Sequence, residues 1–294
     1  MKRRDFVKNS IAVAASAPLI GNIDLQASKK NNIGIQIYTI RDILQKDATG
    51  GIKAIAAAGY KNVELAGYND GKFYGLPAKE LKNLTDGLGM KVLSSHVMVD
   101  PVGFFKENKL SDEYLKALDD AVFLGQKFIV WPFIMPPFRN DLDNAKRFAA
   151  LFNAAGAEAK KRGLRFGYHN HNFEFAPIGD SKTNMFDIFM KETDPVLVSY
   201  ELDLYWVVFA NVDPIAFIKQ NPGRFSLYHV KDLAKTDKRE SIEIGDGTID
   251  FNKIFKEGKV SGAQYYIVEQ EAYRTTSLDA IKTNFKRISK LKLV

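Results

Sequence analysis

The chain carries four histidines, His96, His169, His171 and His229, and each lies within or just past a short, apolar, β-branched run. Carboxylates interrupt similar runs, in Val63-Glu64-Leu65, Leu202-Asp203-Leu204 and Val268-Glu269-Gln270. A charge inside a buried strand is costly unless it is paired or bound to a metal. Mixed Asp, His and Glu donors suit one divalent ion, of the Mn, Mg, Co or Zn kind. Such an ion polarises a carbonyl or hydroxyl oxygen, and a carboxylate beside it can take a proton from the adjacent carbon. The enediolate that results is held by the ion's charge. Asp203, His229 and Glu269 fit a merely structural role least well. His169 reads as a ligand or as a hydrogen-bonded histidine. His171 reads as a structural group, a substrate-facing group or a ligand, and Glu174 as a surface or substrate-contacting residue. Glu64 and His96 read as substrate contacts. Lys231 either pairs with a neighbouring acid or meets substrate, and Trp206 offers a flat apolar face to a sugar or to the core.

These residues need elements that bring them to one place. Short apolar runs at Ile33–Tyr38, Asn62–Ala66, Lys91–Val97, Lys127–Pro132, Leu164–Asn170, Leu197–Leu204, Ser226–Lys231 and Tyr265–Gln270 predict strands buried on both faces of a parallel sheet. Helices are predicted between them at Thr49–Ala58, Pro77–Leu88, Ser111–Leu124, Asp141–Arg162, Asn184–Lys191, Asp213–Gln220, Asp250–Lys256 and Ser277–Lys290. Their ends carry the expected signals, with Ser111 and Asp213-Pro214 at starts and Gly59, Gly89, Gly125 and Gly163 at stops. No glycine-rich phosphate fingerprint follows the first strand, which disfavours a doubly wound sheet. The expected fold is α/β, a single-domain (β/α)8 TIM barrel over residues 31–294, whose chemistry belongs at the C-terminal strand ends. All four histidines fall at those ends. Period-two alternation puts Glu201 with Asp203, and His169 with His171, on one side of their strands.

With 294 residues, 46% of them hydrophobic, and no cysteine, the chain reads as globular. Thiolate metal sites and cysteine nucleophiles are excluded. The opening Met1-Lys2-Arg3-Arg4, followed by an apolar run from Ile11 to Ile20, predicts a twin-arginine export signal over residues 1–28 and a periplasmic or otherwise exported protein. That run is too short to span a bilayer, so no stable membrane anchor is expected. The net charge is +7; Lys2, Arg3, Arg4 and Lys8 against Asp5 and Asp24 account for +2, leaving +5 spread over the rest. A diffuse excess of this kind is not a nucleic-acid stripe. The expected partner is a small-molecule carbohydrate, and a homo-oligomer is compatible with the sequence.

The joint pattern Ala57-Ala58-Gly59-Tyr60-Lys61-Asn62-Val63-Glu64, Gly167-Tyr168-His169-Asn170-His171-Asn172-Phe173-Glu174-Phe175, Glu201-Leu202-Asp203-Leu204-Tyr205-Trp206, His229-Val230-Lys231-Asp232 and Val268-Glu269-Gln270 resembles the sugar phosphate isomerase/epimerase group, the xylose isomerase-like barrels. The resemblance implies one divalent ion held by Asp203, His229 and Glu269, with His169 standing where many members have glutamate. It implies a sugar isomerase or epimerase in which Glu269 or His171 moves the proton while Glu64, His96, Glu174, Trp206 and Lys231 contact the sugar. Losing one of two opposed glutamates also suits a lyase or hydratase that removes the β-substituent of a keto-sugar or keto-glycoside. Repair endonucleases that share this barrel hold three zinc ions, for which four histidines are too few. A non-catalytic sugar-binding barrel is the remaining alternative.

Overall fold

The computed structural model describes residues 31–98, 100–139 and 141–294. The expected export signal lies outside the described residues. Eight parallel strands form the sheet: β1 (Ile33–Gln36), β2 (Asn62–Leu65), β3 (Lys91–Ser95), β4 (Phe128–Trp131), β5 (Arg165–His169), β6 (Val198–Asp203), β7 (Phe225–Val230) and β8 (Tyr265–Val268). Their order runs β3-β2-β1-β8-β7-β6-β5-β4. A bridge between His96 and Val130 brings the two ends together, so the sheet nearly closes into the expected barrel. The strands are short, apolar and buried almost throughout, because helices cover their outer faces.

Around the sheet run α1 (Ala48–Ala58), α2 (Ala78–Gly87), α3 (Asp112–Phe123), α4 (Leu142–Lys161), α5 (Met185–Glu192), α6 (Leu204–Phe209), α7 (Pro214–Gln220), α8 (Phe251–Phe255) and α9 (Ser277–Ile288). Local chemistry sets their starts. Asp47, Ser111, Asp141 and Asp213 each accept a hydrogen bond from a backbone N–H of the first turn, and Asn184 with Asp187 forms a capping box. Gly59 ends α1 at φ 109°, a conformation open to glycine but strained for other residues.

The barrel interior has two layers. Leu93, Phe128, Val130, Leu227 and Ile267 form a small apolar cluster separate from the main core. By strand alternation, His229 and Lys231 continue the line of Leu227, and Glu269 that of Ile267. Apolar side chains therefore plug the base, and polar ones fill the end where the chemistry was expected.

Several boundaries differ from the sequence reading. β1 stops at Gln36, whose side chain accepts from the Tyr38 N–H and turns the chain into a 3-10 turn. β5 stops at His169, so His171 lies on the following loop. There Asn170 Oδ1 accepts from the Asp203 N–H at 3.0 Å, which draws the chain away from the ladder. The stretch read as a loop from Gly67 to Gly75 contains two very short antiparallel strands, Tyr68–Asn69 and Lys72–Phe73, and a third, Leu76–Pro77, follows directly.

Candidate active site

Asp203 ends β6 and is also the N-cap of α6. Its Oδ1 accepts from the Trp206 N–H at 3.0 Å. Its Oδ2 is buried without a hydrogen-bond partner among the described residues. That bare oxygen lies 3.8 Å from His169 Nε2, 4.0 Å from His229 Nδ1 and 3.9 Å from Lys231 Nζ. Glu269, just past β8, puts Oε2 at 3.3 Å from His229 Nδ1 and 3.3 Å from Lys231 Nζ. One donor atom from each of His169, Asp203, His229 and Glu269 lies within 4.8 Å of the others. Four strand ends thus bring together the four residues that the sequence reading grouped.

A second layer lies beneath. Glu201 Oε2 is 2.7 Å from His96 Nε2, 3.0 Å from His169 Nδ1 and 3.1 Å from His229 Nε2. Glu64 Oε1 accepts from His229 Nε2 at 2.7 Å and Gln36 Nε2 at 2.9 Å, and its Oε2 accepts from the Ser94 hydroxyl at 2.6 Å. Glu64 is fully buried in this network, below the cavity floor rather than on it. His96 lies 3.1 Å from Glu64 as well, and it does line the cavity. Burial opposes protonation of His96, but Glu64 and Glu201 outweigh it and raise its pKa to about 10.

Lys231 is buried among acids. Its ammonium contacts Glu269 and Glu271 and sits 4.9 Å above the Tyr205 ring and 5.0 Å above the Trp206 ring. Burial works against the ammonium, yet Glu269, Asp203 and Glu271 hold its pKa above the ordinary lysine value. Glu269 is the converse case: burial would raise its pKa, and Lys231 and His229 instead hold it well below the usual carboxylate range. Burial raises Asp203 to about 7, with Lys231 and His229 opposing the rise. His171 lines the cavity, its Nδ1 without a partner among the described residues, and burial, then Lys231, lowers it to about 3, so its ring is neutral. Trp206 packs against His171 at 5.3 Å between ring centroids.

Glu174 lies elsewhere than expected. It is fully buried behind the His171 loop, where it accepts from the Tyr168 hydroxyl and, at 2.9 Å, from the His171 N–H. Every acceptor bond it makes goes to protein, so it braces the loop and does not line the cavity. The open volume above the acids is about 520 Å³, and Tyr38, Tyr68, Met98, Pro132 and Phe133 form its apolar side. Glu201, which the alternation places on the same face as Asp203, carries a larger role than that placement alone implies, meeting three imidazoles. The signal for it was the Glu-Leu-Asp spacing within an apolar run.

A family profile for the xylose isomerase-like TIM barrel matches residues 52–291. The chain belongs to that family. A crystal structure of a sugar phosphate isomerase/epimerase from Parabacteroides distasonis ATCC 8503 is 30% identical, with a TM-score of 0.75, over 87% of this chain and 93% of that one. Inosose dehydratase from Clostridium tetani is 29% identical over 157 residues, which span 47% of this chain and about half, 51%, of that protein. D-allulose 3-epimerase from Methylomonas sp., crystallised with D-allulose, superposes with a TM-score of 0.66 over 89% of this chain and 97% of that one; at 15% identity it shares the fold.

Barrels of this family that carry such ligands imply a divalent ion, and the residues present fit one. Ligands about 2.1 Å from a tetrahedral ion stand roughly 3.4 Å apart. The separations around Asp203 Oδ2 and Glu269 Oε2, 3.3 to 4.0 Å, are of that size. The orphaned Oδ2 of Asp203 supplies the unmet demand for a cation. His96, His169, Glu201 and His229 in the lower layer also have donor atoms within 4.8 Å of one another, but there Glu201 Oε2 already meets all three imidazoles at hydrogen-bond distance.

Proposed function

We propose that this chain is a divalent-metal-dependent sugar isomerase or epimerase that moves a proton on the carbon next to a carbonyl. The observation that carries the reading is the bare Asp203 Oδ2 facing His169, His229 and Glu269 at the floor of an open cavity. His169, Asp203, His229 and Glu269 would hold the ion. When bound, it supplies Lewis-acid polarisation of a carbonyl or hydroxyl oxygen of the sugar. Glu269, kept ionised by Lys231 and His229, takes the proton from the neighbouring carbon. His171 presents neutral imidazole to the same space and can exchange a hydrogen bond with a sugar hydroxyl. Tyr38, Met98 and Phe133 exclude water from the apolar side.

A carbon–oxygen lyase acting on a keto-sugar or keto-glycoside is the second reading. One observation favours it: Glu271, the other cavity carboxylate, is tied to Lys231, so Glu269 lacks an equivalent free partner for two-sided proton exchange. Inosose dehydratase relatives agree with that direction. Product NMR after incubation with keto-sugars and keto-glycosides in D2O separates the two. Deuterium on the reacting carbon with the skeleton intact supports isomerisation or epimerisation, whereas loss of the β-oxygen supports elimination. Turnover that survives Glu269→Gln unchanged overturns both. We further propose that residues 1–28 direct export, on the strength of Arg3-Arg4 and the apolar run behind them.

A further inference from the structure

Glu201 turns one oxygen on three imidazoles. Oε2 meets His96, His169 and His229 at hydrogen-bond distance, while Oε1 has no partner among the described residues. Its side chain is completely buried, so water does not compete for Oε2. A histidine that ligates an ion is neutral and carries a single ring proton, whose position is set by the bond its other nitrogen makes. A carboxylate 3.0 Å from His169 Nδ1 draws that proton to Nδ1. The lone pair of Nε2 is then left facing Asp203 Oδ2 across 3.8 Å. His229 is arranged in the opposite sense: Nε2 points down at Glu64 and Glu201, and Nδ1 points up at Glu269.

We propose that Glu201 is a positioning residue that fixes His169 as its Nδ1–H tautomer and, with Glu64, aims Nε2 of His169 at Asp203 and Nδ1 of His229 at Glu269. The proposal rests on the ion-site reading above. Outer carboxylates of this kind orient ligating imidazoles and raise their basicity, and losing one costs about 10–100-fold in metal affinity.

Ring ¹⁵N NMR of the ion-free protein tests it, since the chain has only four histidines to assign. The expected spectrum shows His169 protonated at Nδ1 and bare at Nε2. Glu201→Gln should give mixed tautomers at His169 and bind Zn²⁺ about 10–100-fold more weakly in competition with a chromophoric chelator. A wild-type His169 protonated at Nε2 overturns the proposal, and this outcome stands even if Glu201→Gln fails to fold. So does a Glu201→Gln variant with unchanged tautomers and affinity. A wild type that takes up no Zn²⁺ but keeps the Nδ1 proton on His169 supports the positioning while the ion reading fails, so the two failures are distinguishable.

Discussion

Asp203 and Glu174 show how much a carboxylate's role depends on what its second oxygen meets. Asp203 spends Oδ1 on capping α6 and leaves Oδ2 bare among cationic and imidazole groups. Glu174 commits both oxygens to Tyr168 and the His171 N–H. Burial is the main reason its pKa is raised to about 7, only partly offset by those hydrogen bonds. The folded-state value lies above the reference of 4.5, so the folded chain holds this proton more tightly than the unfolded one. The resulting stability is fully present below the unfolded pKa and is lost as pH rises through 7. At about 1.4 kcal/mol per pKa unit, the loss is on the order of 3 kcal/mol. Glu174→Gln keeps an acceptor for the His171 N–H and carries no charge to desolvate. Urea unfolding at pH 5 and pH 8 should show the variant gaining roughly 2–3 kcal/mol on wild type between those values. A difference that stays constant with pH would show that the carboxyl is not held protonated by its surroundings.

At the scale of elements, the strands and helices were largely legible because burial on both strand faces and helix punctuation are both written locally. Leu202-Asp203-Leu204 and Val268-Glu269-Gln270 stand out in the sequence because a charge sits where only apolar groups are cheap. Glu64 sent the same signal for another reason: it is satisfied by Gln36, Ser94 and His229, contacts between strands that no local pattern reveals. Glu174 misled because sequence does not say whether a loop folds its carboxylate outward or back under itself. Close approach between elements is equally hidden. Gly156 lies inside α4, where helix propensity alone predicts that alanine would stabilise by about 1 kcal/mol. A Cβ there would stand 2.5 Å from the Leu197 carbonyl oxygen, just before β6. Relieving that clash moves α4 off the strand carrying Glu201 and Asp203, and overpacking typically costs 1–3 kcal/mol. The steric effect therefore outweighs propensity. Gly156→Ala should lower the urea midpoint by an amount worth about 1–2 kcal/mol, and a raised midpoint would mean the helix has room to move.

For the whole molecule, the proposed ion site is a statement about the closed barrel. His169, Asp203, His229 and Glu269 come from or just past β5, β6, β7 and β8, so they converge only when the sheet is complete. A ligand bound by the folded chain alone stabilises it by mass action, by about 2.7 kcal/mol at a hundredfold excess over its Kd. For a domain of this size each kcal/mol shifts Tm by about 2–4 °C, so saturating Mn²⁺ or Zn²⁺ should raise Tm by roughly 5–10 °C over chelator-treated protein. Asp203→Asn supplies the control. Asparagine keeps an oxygen to accept the Trp206 N–H, so the cap on α6 survives. It also removes a carboxyl that burial disfavours when ionised, so its ion-free Tm at pH 8 should be no lower than that of wild type. The ion-dependent rise should shrink by more than half in this variant, because the bare oxygen at the centre of the four donors has lost its charge. Equal rises in Asp203→Asn and wild type would place the ion somewhere other than the barrel mouth, and with it the chemistry.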